Sequence, residues 1–179
     1  MTPAERGLIS TLVVVPGRPY TGDREAVLRH FRSDDGRVLG LDLLRGAIAD
    51  RSADDLEAAL IVCGAFGIDA EHAPMLVDLV YDEWHQQHEV VVSMLGSQRG
   101  PAVVDALHHA ASWVPRYLDY DESRALAVNA IWALGDMSDP RAGSKLRQLA
   151  DANNEIVREA ATHQLSRRGV LSDGGDGNP

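Results

Sequence analysis

Cysteine, lysine and long apolar runs are nearly absent from this chain of 179 residues. Cys63 is the only cysteine, which excludes an intrachain disulfide and a metal site built from several thiolates. Lys145 is the only lysine, and a basic set made otherwise of arginine is typical of GC-rich bacterial coding sequences. The longest apolar run near the N-terminus, Leu12 to Val15, is too short for a signal-peptide core or a membrane span. We therefore expect a bacterial, cytoplasmic protein that does not associate with membranes.

Basic residues are also scarce, since 17 of them face 27 acidic residues, for a net charge of −10. Phosphate backbones attract clustered Lys and Arg, so we expect no nucleic acid partner. The charge is unevenly distributed along the chain. Residues 23–140 include 9 basic and 21 acidic residues, whereas residues 141–168 include 6 basic and 3 acidic residues. Such an acidic body can attract a basic protein partner and raise the association rate. The alternative is that the charge only keeps the surface solvated.

Apolar residues recur with the helical period over most of the chain. Leu56, Ala59, Leu60 and Cys63 follow the i, i+3, i+4, i+7 spacing of one helix face. We predict a helical domain over 23–168 and a disordered tail over 169–179. Residues 8–15 could form a short strand, but a lone strand has no partner in a helical chain, so residues 1–22 are predicted to be a loose segment or to pack along the first helices. The predicted helices are near 23–32, 35–50, 53–67, 71–84, 86–97, 101–113, 122–136, 140–151 and 154–168.

A repeated pattern divides the helical part into pairs. Apolar helices are predicted to end at Gly67, Gly96 and Gly135, where each glycine suits a left-handed C-cap, and Ser166 takes the fourth place. These four positions are 29, 39 and 31 residues apart, so the middle interval holds an insertion. After each of the three glycines comes a short polar turn and a second apolar helix. Because one helix pair cannot bury its own apolar stripe, the pairs are expected to stack into a continuous core.

These segments resemble HEAT-like repeats of the type first described in phycobilisome lyases. The best copy is 133–142 followed by Leu146 and Leu149, the second is 156–161 with Leu165, and a looser copy is 97–104 with Leu107. The resemblance implies an all-α fold, a short right-handed α-solenoid of antiparallel helix pairs. It also implies that the helices ending at residues 67, 96, 135 and 166 line the concave side.

The dipeptide His88-Glu89 matches a slot that holds iron ligands in a family of HEAT-repeat enzymes, the deoxyhypusine hydroxylases. Of the four repeat copies, only this one keeps the pair, whereas a two-metal centre needs several. His85 and His88 with Asp82 could in principle bind zinc, but no HExxH pattern occurs. We therefore predict no metal, cofactor or catalytic residue, and we interpret Glu89 as an acidic residue at the positive end of a helix.

The insertion at 112–122 concentrates aromatic residues. It holds Trp113, Tyr117 and Tyr120, three of the nine aromatics of the chain, together with Arg116. Insertions in repeat arrays map to loops on one face, and Trp, Tyr and Arg are the residues most frequent at binding hot spots. The alternative is that the rings cover the apolar edge between two repeats. Trp132 lies within the following helix and is predicted to be a packing residue.

The function predicted from these features is a protein-binding scaffold or adaptor that uses the concave face and the aromatic insertion. A more specific version is an immunity-type inhibitor that covers a basic effector. The alternative is an enzymatic relative, either a chromophore lyase or chaperone or a metal-dependent hydroxylase, although a fold does not by itself imply a function. The predicted partner-binding residues are His88, Glu89, Trp113, Arg116, Tyr117 and Tyr120.

Overall fold

A computed structural model describes residues 1–14, 16, 17 and 19–173 of the chain. These residues form ten α-helices and one 3₁₀ turn and contain no strand, so the predicted all-α fold is confirmed for them. No helix among them is both long and apolar enough to cross a membrane. The helices are α1 (Pro3–Ser10), α2 (Arg24–Phe31), α3 (Gly36–Asp50), α4 (Ala53–Phe66), α5 (Ala73–Tyr81), α6 (His88–Leu95), α7 (Pro101–Ser112), α8 (Ala125–Gly135), α9 (Pro140–Ala150) and α10 (Glu155–Asp173).

All nine predicted helices are present, and each begins within three residues of its predicted start. Short polar side chains set several of these starts, because they accept hydrogen bonds from backbone N–H groups that the first turn leaves free. Asp23 caps α2, Asp35 caps α3 and Ser52 caps α4 in this way. The starts of these helices are therefore determined by residues within a few positions along the sequence.

The N-terminal segment forms a helix instead of the short strand considered over 8–15, and of the two predicted alternatives it follows the one that packs along the first helices. Residues 3–10 form helix α1, which begins in a capping box: the Thr2 side chain accepts from the Glu5 N–H, and the Glu5 carboxylate accepts from the Thr2 N–H. Ile9 and Leu12 are buried, so this segment contributes to a core. At the other end α10 continues to Asp173, so the first five residues of the predicted tail are helical, and residues 174–179 lie outside the described residues.

The chain divides into two compact units, one formed by residues 1–75 and 82–87 and the other by residues 76–81 and everything from 88 onward. In the first unit α3 packs on α4, α1 packs on α4 and α2 packs on α3. Apolar side chains from these four helices form its core. The buried members of the core cluster shared by these helices are Ile9, Leu12, Val27, Leu39, Ala58 and Val62.

The second unit consists of two interleaved layers of helices. Helix α8 packs on both α6 and α10, and α7 packs on α9, so alternate helices along the chain are neighbours in the same layer. Trp132 contacts His163, and four residues further along both helices Asp136 pairs with Arg167, which means that α8 and α10 run parallel. Helix α9 also packs on α10 across a connection of four residues and thus runs antiparallel to it. The second unit has the α-solenoid arrangement that the repeats predict.

The glycines of the repeat have a different role from the predicted one. Among Gly67, Gly96 and Gly135, only Gly67 has a positive φ, of 88°. A Cβ at Gly96 would lie 3.4 Å from the Ala133 Cβ, and a Cβ at Gly135 would overlap the side chain of Gln164. The small residues at 96 and 135 therefore allow neighbouring helices of one layer to approach each other. The prediction of left-handed caps at these two glycines was wrong, because close packing and not backbone conformation requires them.

Candidate partner-binding site

Three of the predicted site residues meet in one cluster of rings in the second unit. His88 begins α6, and Trp113 and Tyr117 follow the end of α7. The ring centroid of His88 lies 5.3 Å from that of Trp113 and 5.6 Å from that of Tyr117. Nδ1 of His88 lies 3.2 Å from the Tyr117 hydroxyl, within hydrogen-bond distance. We call these residues, with two that follow, the aromatic cluster.

Tyr81 and His109 extend the cluster. Their ring centroids are 4.5 Å apart, and His109 stacks on Trp113 with centroids at 5.3 Å and an interplanar angle of 25°. The pattern of residue types in the sequence indicated the importance of the insertion. It did not connect the insertion to residue 81 or 109, because these come from the ends of α5 and α7 and meet only in the folded unit.

Local sequence explains the course of the insertion after α7. Pro115 has an extended backbone and precedes the 3₁₀ turn Arg116–Leu118, whose last residue is buried. Asp121 then accepts hydrogen bonds from the N–H groups of Ser123 at 3.0 Å and Ala125 at 2.7 Å. Through this acceptor Asp121 satisfies a free N–H at the start of α8 and so fixes where the helix begins.

The predicted site residues differ in their exposure. His88 is buried with 1% of its surface exposed, and Trp113 and Tyr117 are half-buried. Tyr120, by contrast, has 80% of its surface exposed, and Glu89 and Arg116 are exposed as well. The two interpretations of the insertion, a binding surface and a cover over the apolar edge between repeats, therefore apply to different residues. Trp113 and Tyr117 cover an edge of the unit, whereas Tyr120 projects into solvent.

Little space remains beneath the insertion. The cavity lined by Trp113, Pro115, Leu118 and neighbouring residues has a volume of about 10 Å³, no more than a single water molecule requires. At this place the ring of Trp113 is therefore packed against the protein and does not form the wall of a ligand pocket.

Desolvation shifts the pKa of three titratable members of the aromatic cluster in the direction that favours the neutral form. Desolvation raises the pKa of the Tyr117 hydroxyl, and the negative charge of Glu89 raises it further. Desolvation also raises the pKa of Tyr81 and lowers the pKa of His109.

The two side chains of the dipeptide His88-Glu89 differ in their surroundings. His88 is buried against Tyr117, and Glu89 is exposed. Across the described residues, no group of three or more His, Cys, Asp or Glu side chains is arranged to hold a metal ion.

One exposed aromatic residue was missed by the sequence analysis. Trp132 was predicted to be a packing residue, but 43% of its surface is exposed on α8. The guanidinium carbon of Arg167 lies 5.2 Å from its ring centroid, and the ring of His163 lies 5.6 Å away. Helix α8 is apolar nearly all round, so periodicity did not show which of its apolar residues faces solvent.

Comparison with known proteins gives one match. A family model described as HEAT repeats matches residues 82–166. No curated protein and no solved structure matches the chain significantly. The matched range covers α6 to α9 and most of α10, the same helices that stack in two layers. Sequence and helix packing thus both support a HEAT-like repeat protein.

Proposed function

We propose that this chain is a protein-binding scaffold without a catalytic activity of its own, and that its partner contacts the insertion around Tyr120. HEAT repeats are in general protein-interaction scaffolds, which supports the class of function. The observation that carries the proposal is the 80% exposure of Tyr120 next to a 3₁₀ turn. A tyrosine with few internal degrees of freedom, held on an ordered segment, loses little entropy when it is covered by a partner.

The six predicted residues take two roles in this proposal. Tyr120, Arg116 and Glu89 are exposed and make the contacts with the partner. His88, Trp113 and Tyr117 pack against one another and hold the insertion in place. This division follows the pattern of interfaces in which a few residues carry most of the binding energy and their neighbours exclude water.

The partner we propose is a basic protein. Exposed carboxylates lie on both sides of Tyr120, at Asp119 and Glu122, and the chain as a whole has a net charge of −10. Complementary charge accelerates encounter and disfavours acidic competitors. The more specific form of the proposal is that the chain covers a basic effector as an immunity-type inhibitor. The exposed side of the layer α6–α8–α10, which the repeat resemblance assigns to the concave side, is the second surface that we propose for binding a protein.

Affinity capture tests the class of function. The tagged chain is used to isolate partners from the native organism, and a captured protein is then purified and its binding measured by calorimetry. We expect Tyr120→Ala to weaken binding about tenfold or more, as for a hot-spot tyrosine. Tyr20→Ala is the matched control, because Tyr20 is an exposed tyrosine of the first unit. Equal affinities for the two variants would contradict the assignment of Tyr120.

A separate measurement addresses the enzymatic alternative. Purified protein is analysed for iron and for the absorbance of a bound tetrapyrrole. The scaffold proposal predicts neither in stoichiometric amount. Stoichiometric iron or a bound bilin would contradict it and favour a hydroxylase-like or lyase-like function.

A further inference from the structure

Trp132 is the centre of a second exposed surface, on helices α8 and α10. Val128, Asn129 and Asp136 lie on the same side of α8 as Trp132, because they are three or four residues from it. By the same rule Ile156, Glu159 and Arg167 lie on the side of α10 that carries His163. We call these eight residues the Trp132 face: Val128, Asn129, Trp132, Asp136, Ile156, Glu159, His163 and Arg167.

The ring of Trp132 is held in a fixed orientation. The Arg167 guanidinium lies over it at 5.2 Å, which is within the range of a cation–π interaction. Asp136 forms an ion pair with the same guanidinium, and His163 contacts the ring from α10. An exposed aromatic ring that its neighbours already hold in place loses little conformational entropy on binding.

The charges of this face are unequal at its two ends. Because Trp132 lies beside His163 and Asp136 beside Arg167 in parallel helices, Glu159 falls beside Val128, one turn from Trp132. The charge of Asp136 is compensated by Arg167, whereas Glu159 is exposed and has no ion pair among the described residues. The face therefore presents an aromatic ring with an uncompensated carboxylate on one side of it.

We propose that the Trp132 face binds a segment of a partner protein that places an apolar side chain on Trp132 and a lysine or arginine against Glu159. Trp132 and Glu159 lie on neighbouring helices and one turn apart along their axes, so the two partner side chains would be about 10 Å apart, from a turn of about 5.4 Å and an interaxial distance of about 8–10 Å. The partly exposed side chain of Ile156 extends the apolar part of the face along α10. This inference rests on the proposed function, since it names the recognition chemistry of a scaffold that binds proteins.

Selection of short random peptides displayed on phage tests the proposal on the full chain. We expect the enriched sequences to contain an apolar residue and a lysine or arginine about three positions apart in an extended segment, or about seven positions apart on a helix. Their affinity should fall about tenfold or more in Trp132→Ala, as for a hot-spot tryptophan. Val38→Ala, at an exposed apolar position on α3, is the matched control and should bind as the wild type does. Failure to enrich any binder, or enrichment of acidic peptides, would overturn the proposal.

A charge exchange tests the role of Glu159. In Glu159→Lys we expect weaker binding of the selected peptide and recovery when its lysine or arginine is replaced by glutamate. Recovery requires that the two groups are in contact, and a variant that only lost structure would not show it. Binding that ignores the charge at 159 would overturn this part of the proposal.

Two outcomes separate this proposal from that for Tyr120. Peptides whose binding is lost in Tyr120→Ala but kept in Trp132→Ala would support the proposed function and overturn the Trp132 face. Sedimentation of the wild type and of Trp132→Ala tests self-association. A dimer that dissociates on this substitution would make the face an interface between copies of the chain and would also overturn the proposal.

Discussion

The buried side chain of Gln164 occupies the space that a Cβ on residue 135 would need. Gln164 belongs to α10 and Gly135 to the end of α8, so this contact sets how closely two parallel helices of one layer approach. The recurrence of glycine at the ends of apolar helices thus reflects the distance between successive repeats. This relationship explains a feature of the sequence through a contact between residues far apart along the chain.

Gly135→Ala is expected to destabilise the protein. The added methyl group would overlap the fully buried side chain of Gln164 and force it to move, and overpacking of this kind costs about 1–3 kcal/mol. The free energy of unfolding in urea measures it. Gly46→Ala is the control with the opposite expectation: nothing lies within 4 Å of its Cβ position inside α3, so helix propensity should stabilise the protein by about 0.5–1 kcal/mol.

Restoring the space should reverse the effect. In the double variant Gly135→Ala with Gln164→Ala, the new methyl group no longer meets a side chain. We expect the two substitutions to be strongly non-additive, because the residues are in direct contact. Additive changes in the free energy of unfolding would show that the contact does not determine the packing of α8 and α10.

The same substitution, tyrosine to phenylalanine, is expected to cost stability at a packed position of the insertion and to cost little at an exposed one. Tyr117→Phe removes the hydroxyl that lies 3.2 Å from Nδ1 of His88 and should cost about 1 kcal/mol of unfolding free energy. Tyr120→Phe removes a hydroxyl from a side chain that is 80% exposed and should change the stability by no more than about 0.5 kcal/mol. Thermal and urea denaturation of the two matched variants measure the difference. Equal effects would contradict the division of the insertion into a packed and a free part.

The N-terminal helix is expected to be part of the folded protein. Ile9 is fully buried in a core with side chains from α2, α3 and α4, so Ile9→Ala should destabilise by about 2–5 kcal/mol. Val13→Ala, at a position that is 46% exposed, should have little effect. Chemical denaturation provides the measurement. A negligible cost at Ile9 would instead support the loose segment predicted from the sequence.

Asp55 is expected to make the stability of the first unit fall in acid. Its carboxylate lies 2.8 Å from the Met1 ammonium and 2.7 Å from Nη1 of Arg6. Burial raises the pKa of Asp55, but these hydrogen bonds outweigh burial and lower its pKa overall. Folding thus favours the ionised carboxylate. The contribution of Asp55 to the free energy of unfolding is therefore complete above the ordinary aspartate pKa of 3.8, and it is lost as the pH falls through the lower pKa of the folded state.

The free energy of unfolding in urea, measured from about pH 2 to about pH 7, tests this linkage, because this range includes the titration of carboxyl groups. Asp55→Asn should lower the stability near neutral pH and flatten its dependence on pH in the acid range. Asp54→Asn is the control, because the neighbouring Asp54 side chain is 79% exposed. A wild type and an Asp55→Asn variant with parallel pH profiles would contradict the role of this ion pair.

Periodicity and capping residues were sufficient to predict nine helices, because both act over a few residues. The same local logic could have identified α1, since Thr2 and Glu5 form a capping box with Pro3 at the start of the helix, but the glycines and prolines that follow indicated a loop. The insertion was identified from the longer interval between two repeat positions and from its aromatic residues. Whether Trp113 or Tyr120 is exposed could not be predicted, because residues of α6 and α7 decide which rings are covered.

By itself the sequence determined the helical content, the repeat and the acidic charge, since these depend on residue type and on spacing along the chain. Only the tertiary structure decided that Gly135 faces Gln164, that Trp132 is exposed, and that Tyr81 and His109 join the aromatic cluster. The physical reason is that burial and exposure depend on which helices pack together. In α8, where nearly every side chain is apolar, the neighbours of the helix alone determine which of its faces meets solvent.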